Sequence, residues 1–475
     1  MSKRVAFGAV LFLLVASLLP AAALAQSATG QTWSTSITYY TPDPNGGTLL
    51  IHYYPEGSGT PIDADPITLA GHAAGSLFIG SVPGMPGTFG GSAVLEANVP
   101  IVATAVNIAG EASSYPRPLY GGFDGSQASQ SFFIPSVLYQ AFGQTSLLAI
   151  QNVESGSIDA TLKVYASGAV DPSFQATYTI PGQSSQLVPA ADMGLAAGFS
   201  GSAVVTATGK VVAAAQETDD SSRGAKAFEG VAAEAGATEI YMASMMCRAY
   251  AAKQISYYAI QNVGDSSANV EIDFYNTSGT LLYTATGLSI AKNNKLSKSP
   301  CDFVGSAPSL EGAVGSAVIR STNSIPLIAI GKISTQAKDM TPTAFVGQSG
   351  GAIKIAAPYI RWKTDPALGE RSFVAVMNVG GGDATDVVAT YYDSTGTARA
   401  THTLATAANP LGSYIKANTD WASAGGTGDF GVNPYGGAIE ITSDQPLVVV
   451  VRVSKTVSFG AINKFAEDYN GVAVP

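Results

Sequence analysis

Three histidines, His52, His72 and His402, are the chain's entire supply of imidazole, and they lie 20 and 330 residues apart. A zinc site needs ligands at short spacing, and these show none. A Ser-His-Asp triad needs one of them beside an activated serine, and no such serine is read in the sequence. Each reads as a strand or loop residue. Gly426-Thr427-Gly428-Asp429-Phe430-Gly431 matches the dinucleotide pattern Gly-x-Gly-x-x-Gly. The chemistry behind that pattern needs a strand before it and a helix N-terminus after it, and here the surroundings read as a loop between strands. Asp63 and Asp65, and the neighbours Asp219 and Asp220, are paired carboxylates of the kind that hold Ca²⁺. With no third acidic ligand close in sequence, they read as solvated turn residues. Asn276-Thr277-Ser278 is a glycosylation sequon and also reads as a hairpin turn. The 21 tyrosines suit either sugar stacking or cross-strand pairing. Catalytic, cofactor-binding and metal-binding residues are therefore all expected to be absent. The two cysteines, Cys247 and Cys301, are expected to form a disulfide in an exported protein.

Export is read from the N-terminus. Lys3 and Arg4 precede an apolar stretch from Val5 to Leu19, and Ala23-Leu24-Ala25 fits the small-x-small cleavage rule. No second apolar run of that length follows, so no transmembrane span is expected after cleavage, and the location is secreted, extracellular or cell-surface. The formal net charge is −10, and loss of Lys3 and Arg4 would take it to about −12. Charged residues make up 12% of the chain, about half the usual ~25%. Without clustered Lys and Arg, no nucleic-acid partner is expected.

What must position these residues is a repeat. Gly91-Ser92-Ala93-Val94 returns at Gly201 to Val204 and Gly315 to Val318, and in altered form as Gly436-Gly437-Ala438-Ile439. The starting glycines are 110, 114 and 121 residues apart, about the length of one small domain. Ala149-Ile150-Gln151-Asn152-Val153 returns as Ala259 to Val263 and as Ala375-Val376-Met377-Asn378-Val379. Its Asn is expected to close a strand by bonding nearby backbone. Val270, Ile272 and Phe274 alternate with polar neighbours and lead to the turn Asn276 to Gly279; matching turns end at Gly57, Gly168 and Gly396. Apolar runs such as Leu447 to Val451 read as central strands, and Pro100, Pro326 and Pro446 mark where three of them start.

A leader, Phe123, Phe228-Glu229-Gly230 and Phe345-Val346-Gly347, precedes each repeat from the second onward, and the first repeat lacks it. The tail from Phe465 to Gly471 resembles a leader with no repeat behind it. That mismatch raises the alternative of a strand-exchange filament, in which the tail of one molecule completes the first repeat of the next.

The repeated Ile-Gln-Asn-Val, Tyr-Tyr-x-x-x-Gly and Gly-Ser-Ala-Val blocks resemble those of secreted proteins of filamentous bacteria built from tandem immunoglobulin-like sandwiches. The resemblance covers nearly the whole chain after residue 25. It implies an extracellular or envelope location and a scaffolding or adhesive role, and no catalytic residues. The expectation is an all-β chain of four tandem immunoglobulin-like β-sandwiches after a cleaved signal peptide. Its bounds are 1–25 for the signal and 26–115, 116–225, 226–342 and 343–475 for the sandwiches, forming an elongated array. The expected function is a non-enzymatic structural or adhesive one without cofactors. Its partners would be a cell-envelope polymer, a surface protein or a second copy. An extracellular carbohydrate-binding array is the alternative.

Overall fold

Alternating apolar residues and glycine turns build one strand plan four times. The computed structural model describes residues 10–14, 33–109, 117–219, 224–335, 342–365, 369–431, 436–455 and 466–475. In the third repeat the chain order is Glu239–Met246, Gln254–Asn262, Ala268–Asn276, Leu281–Ile290, Lys295–Lys298, Val314–Ser321, Leu327–Thr335 and Thr343–Val346. The first of these, the opening strand, pairs with the Gly-Ser-Ala-Val strand Val314–Ser321, which pairs with Ala268–Asn276 and then Leu281–Ile290. In the other sheet Lys295–Lys298, the Gln-Asn-Val strand Gln254–Asn262, the apolar strand Leu327–Thr335 and Thr343–Val346 lie in that order. The fold is all-β, and its short helical turns are 3₁₀ segments such as Ala190–Met193.

The second and fourth repeats follow the same plan, with one change. Their Gly-Ser-Ala-Val and apolar strands run together as Phe199–Asp219 and Gly437–Ser454, which pass from one sheet into the other. The hairpin glycines take the left-handed backbone expected of them, at φ 71° (Gly57), 83° (Gly168), 78° (Gly279) and 84° (Gly396).

Three expectations shift. The fourth Gly-Ser-Ala-Val copy begins at Gly437, because Gly437 faces Asp393 just as Gly315 faces Asn276 and Gly201 faces Ala166. Its members are then Gly437, Ala438, Ile439 and Glu440. Next, the leaders belong to the repeat before them. Leu119–Gly121 pairs with Val102–Ala109, Ala225–Glu229 with Phe199–Asp219, and Thr343–Val346 with Leu327–Thr335. Each is the last strand of its sandwich, here called the inner strand, so each repeat extends past the boundary drawn from sequence. The tail obeys the same rule. Ala466–Asn470 pairs with Gly437–Ser454 and Val472–Ala473 with Ala352–Ile360, inside the fourth repeat.

The third shift concerns overall shape. The array is not extended: the inner strands of successive repeats touch, and the last touches the first. Thr343 bonds Asp468 and, three residues on, the Val346 N–H bonds Asn470, so neighbouring inner strands run in the same direction. The repeats thus stand side by side with the same end up, closed into a ring around a hub of four inner strands. At the hub the N–H groups of Gly122, Gly230, Gly347 and Gly471 donate to Ala103, Ala213, Ala329 and Val449 at 2.8–2.9 Å, one matching bond per repeat. Val106 and Leu119 of the first repeat pack within the apolar core of the fourth. Burying shared apolar surface at every joint favours closure over an open string.

Candidate functional site

The joints between repeats use the motifs that the sequence repeats. The residue two before each short edge strand (His72, Gln183, Asn293 and Tyr414) has a left-handed backbone, with φ 54–64°. That turn carries the carbonyls of Gln183, Asn293 and Tyr414, and the side chains of His72, Asn293 and Tyr414, onto the preceding repeat in the ring. The hydroxyls of Ser92, Ser202 and Ser316, from Gly-Ser-Ala-Val, donate to the carbonyls of Gln183, Asn293 and Tyr414 at 2.9, 2.9 and 2.7 Å. The tyrosine preceding the hairpin turn joins in: Tyr275 packs on Tyr414 at 5.1 Å, and Tyr165 accepts a bond from Asn293. At the closing joint Ala438 has no hydroxyl. There His72 stacks on Tyr392 at 4.6 Å, and its Nδ1 lies 3.3 Å from Glu440, which also accepts the Tyr40 hydroxyl at 2.5 Å.

The Gln-Asn-Val block serves the same turns. Gln151 and Gln261 donate to the carbonyls of Gln183 and Asn293. Asn152, Asn262 and Asn378 each donate to backbone carbonyls across the strand end, and each accepts the N–H two residues on at 2.8 Å. This is the strand-closing role expected of them.

Around the hub each joint carries a different buried polar set. Between repeats one and two, Thr35 donates to Asn107, which donates to Gln216. Between two and three, Glu217 accepts from Lys226 at 2.7 Å and from Lys332 and Ser136 at 2.6 Å. Burial alone would raise the Glu217 carboxyl, but the two ammonium groups override it and hold it well below the usual range. Between three and four, Arg452 grips Asp468 with bonds of 2.8 and 2.6 Å, and Thr343 donates to the same carboxylate. Between four and one, Arg117 contacts Glu370 at 2.6 Å and Glu467 at 3.0 Å.

The other sequence candidates are held apart. His52 pairs with Asp63 at 2.7 Å, and His402 with the Thr419 hydroxyl at 2.9 Å. Asp220 lies outside the described residues, as do the signal's Lys3, Arg4 and Ala23 to Ala25. The Gly-x-Gly-x-x-Gly string caps the fourth core: Trp421 donates to the Gly428 carbonyl at 3.1 Å and packs at a tilt on Phe430, with ring centroids 4.6 Å apart. A Cβ on Gly426 would stand 2.1 Å from the Trp421 ring, so glycine is needed here for the indole to pack. Asn276 accepts from the Ser278 and Thr280 N–H groups, closing its hairpin. Cys247 and Cys301 are disulfide-bonded, with Cα atoms 5.1 Å apart.

One string escaped the sequence reading. Gly347-Gln348-Ser349-Gly350-Gly351 has the Gly-x-Ser-x-Gly spacing. It links the strand Thr343–Val346 to the strand Ala352–Ile360, whereas a nucleophile elbow needs a strand-to-helix turn. Gly347 to Gly350 line a cavity of about 1480 Å³ at one end of the hub, which draws on all four repeats through Gly122, Glu229, Ile328 and Asn470 among others. Burial pushes the Glu229 carboxyl up to about 7, against the pull of the Gly121 N–H bonded to it. Burial does the same to Glu467, also up to about 7, despite the nearby Arg117.

A group whose folded pKa exceeds its unfolded value stabilises fully below the unfolded value. That stability is lost as pH rises through the folded one. The protein should therefore lose on the order of 2 kcal/mol per such carboxyl between pH 5 and pH 8. Urea midpoints of the Glu229→Gln chain at the two pH values should differ less than those of the parent. An identical pH slope in both would refute the assignment.

At the opposite end of the hub stand the hairpins between opening and Gln-Asn-Val strands. Their tips lie beside the ends of the apolar strands, since Gln144 faces Asp219 and Gln254 faces Thr335. Two tips carry aromatics in the left-handed region: Phe142 at φ 55° and 87% exposed, and Tyr250 at φ 58° and 62% exposed. In the fourth repeat Trp362 folds back under Arg371, 4.7 Å from its ring, and against Phe373, itself 40% exposed. Periodicity could not find these residues, because nothing in a loop's spacing distinguishes an outward ring from a buried one.

No family model matches the chain, and no curated protein matches it. Among solved structures, that of Thermotoga maritima 1070 is similar at 13% identity and a TM-score of 0.19, over 22% of this chain and 92% of that one. A Streptomyces avermitilis alpha-L-rhamnosidase is similar at 9% identity and a TM-score of 0.12, over 86% and 54%. The chemokine-binding protein R17 of a rodent gammaherpesvirus is similar at 8% identity and a TM-score of 0.15, over 75% and 89%. Scores this low carry no argument about function. No helix among the described residues is long and apolar enough to cross a membrane.

Proposed function

We propose that the protein is an exported, non-enzymatic structural ring that adheres through its hairpin-tip face to a cell-envelope polymer. The observation that carries this reading is the pair Phe142 and Tyr250. A bulky residue at positive φ costs on the order of 1 kcal/mol, and a ring left mostly in solvent recovers little of it through burial. Strain of this kind, at matching positions of two repeats, fits a contact surface better than a folding requirement. Among polymers a polysaccharide suits best, since ring faces stack on sugar faces. The closed ring would hold the tips at fixed spacing, so that weak contacts act together.

The test sets stability against adhesion. Changing both Phe142 and Tyr250 to glycine should leave the thermal midpoint unchanged or raise it, because glycine accepts the left-handed backbone. The same change should weaken co-sedimentation with insoluble envelope polysaccharide on the order of tenfold. Undiminished sedimentation of the doubly substituted chain would sink the adhesive reading.

A further inference from the structure

The first repeat obtains its opening strand differently from the others. In repeats two to four that strand is Ser129–Tyr139, Glu239–Met246 or Ala352–Ile360, joined to the Gln-Asn-Val strand by a short connection. In each it lies between the Gly-Ser-Ala-Val strand and the residues that follow the inner strand. In the first repeat Val10–Leu14 holds that place, antiparallel to Gly91–Ala97 on one side and to Phe123–Asp124 on the other. The register matches that of the second repeat. Phe12 faces Leu95 and Asp124, as Phe132 faces Val205 and Ala232.

Val10–Leu14 also lies in the middle of the segment that reads as a signal peptide. We propose that cleavage after Ala25 leaves the first repeat as a strand acceptor, whose slot between Gly91–Ala97 and Phe123–Asp124 is filled by an apolar β-strand of another exported protein. This rests on the reading of residues 1–25 as a removable signal.

The slot's chemistry specifies the donor. Register sets donor positions 10, 12 and 14 opposite Ala97, Leu95 and Ala93, all three fully or nearly fully buried in the first repeat's core. Empty, the slot would expose that core together with a row of unpaired backbone groups, which is costly in water and templates strand addition. The donor is thus an extended segment with apolar residues at alternate positions, added antiparallel to Gly91–Ala97. A second copy's tail does not serve, because Ala466–Asn470 and Val472–Ala473 already pair within their own repeat. The Gln26–Thr32 stretch left by cleavage, Gln-Ser-Ala-Thr-Gly-Gln-Thr, has no such apolar alternation.

The experiment uses the exported, full-length gene product. Its intact mass fixes the N-terminus. The mature chain is then titrated with a fluorescent, lysine-flanked peptide carrying residues 9–15. Saturable one-to-one binding, with a thermal midpoint that rises with peptide concentration, is expected. A second variant tethers the same residues to Trp33 by a flexible linker; it should be more stable than the mature chain and should no longer bind the peptide. A mass showing residues 1–25 retained would overturn the signal reading and the acceptor with it. A cleaved chain that neither binds the peptide nor gains stability from the tether would overturn the acceptor alone.

Discussion

Replacing Glu217 by alanine is expected to destabilise the protein by about 3–5 kcal/mol. The carboxylate is fully buried and holds Lys226 of its own repeat and Lys332 of the next. Its removal leaves two ammonium groups recessed at one joint with no anion between them, and the Ser136 hydroxyl loses its acceptor. The loss should surface in chemical denaturation and in faster hydrogen exchange along Phe199–Asp219 and Leu327–Thr335. A chain carrying Glu217→Met, Lys226→Met and Lys332→Met together should recover much of the deficit. Removing the carboxylate together with the two lysines bonded to it leaves only the neighbouring buried Lys295 to be compensated, whereas removing the carboxylate alone leaves all three lysines unanswered. A single substitution that lowers stability by less than 1 kcal/mol would show that the cluster does not hold the joint.

The second large effect comes from the disulfide. Converting Cys247 and Cys301 to alanine should cost about 4 kcal/mol in the chain-entropy account for a separation of 54 residues. The bond ties the residue after the opening strand Glu239–Met246 to the 3₁₀ turn Pro300–Phe303 that follows the edge strand Lys295–Lys298, and so staples one sheet of the third repeat to the other. The effect should be local: exchange protection should fall in the third repeat first. Equal stability of the parent under oxidising and reducing conditions would refute it.

Much of this fold was legible because it is repeated. The Gly-Ser-Ala-Val, Gln-Asn-Val and tyrosine-turn blocks are local patterns with period two and glycine stops, and each became the strand or turn its spacing predicts. Two errors had one cause. Phe228-Glu229-Gly230 and its equivalents stand next in sequence to the following repeat, yet their hydrogen bonds go back to the strand before them. Strand pairing is decided by non-local contacts, and a one-residue offset, as at Gly437, is invisible where glycines are doubled. The ring was not legible for the same reason. His72 and Tyr392 are 320 residues apart, and no local pattern announces that an imidazole will stack on a phenol across a closure. The serine of Gly-Ser-Ala-Val was visible as a repeat, but its task was not: its acceptor is the carbonyl of a left-handed residue in a different repeat. Phe142 and Tyr250, the residues on which the proposed adhesion rests, lie in loops where spacing says nothing about exposure.

The four dissimilar polar sets around the hub bear on how such a chain reaches its native order. Sandwiches built to one plan offer nearly interchangeable apolar flanks, and during synthesis any could dock on the wrong sibling or on a neighbouring molecule. A mismatch would set the Asn107 amide against an ammonium group meant for Glu217, or part Arg117 from Glu370 and Glu467. Each such error leaves a desolvated group unanswered, so the junctions act as address labels that reject swapped assemblies.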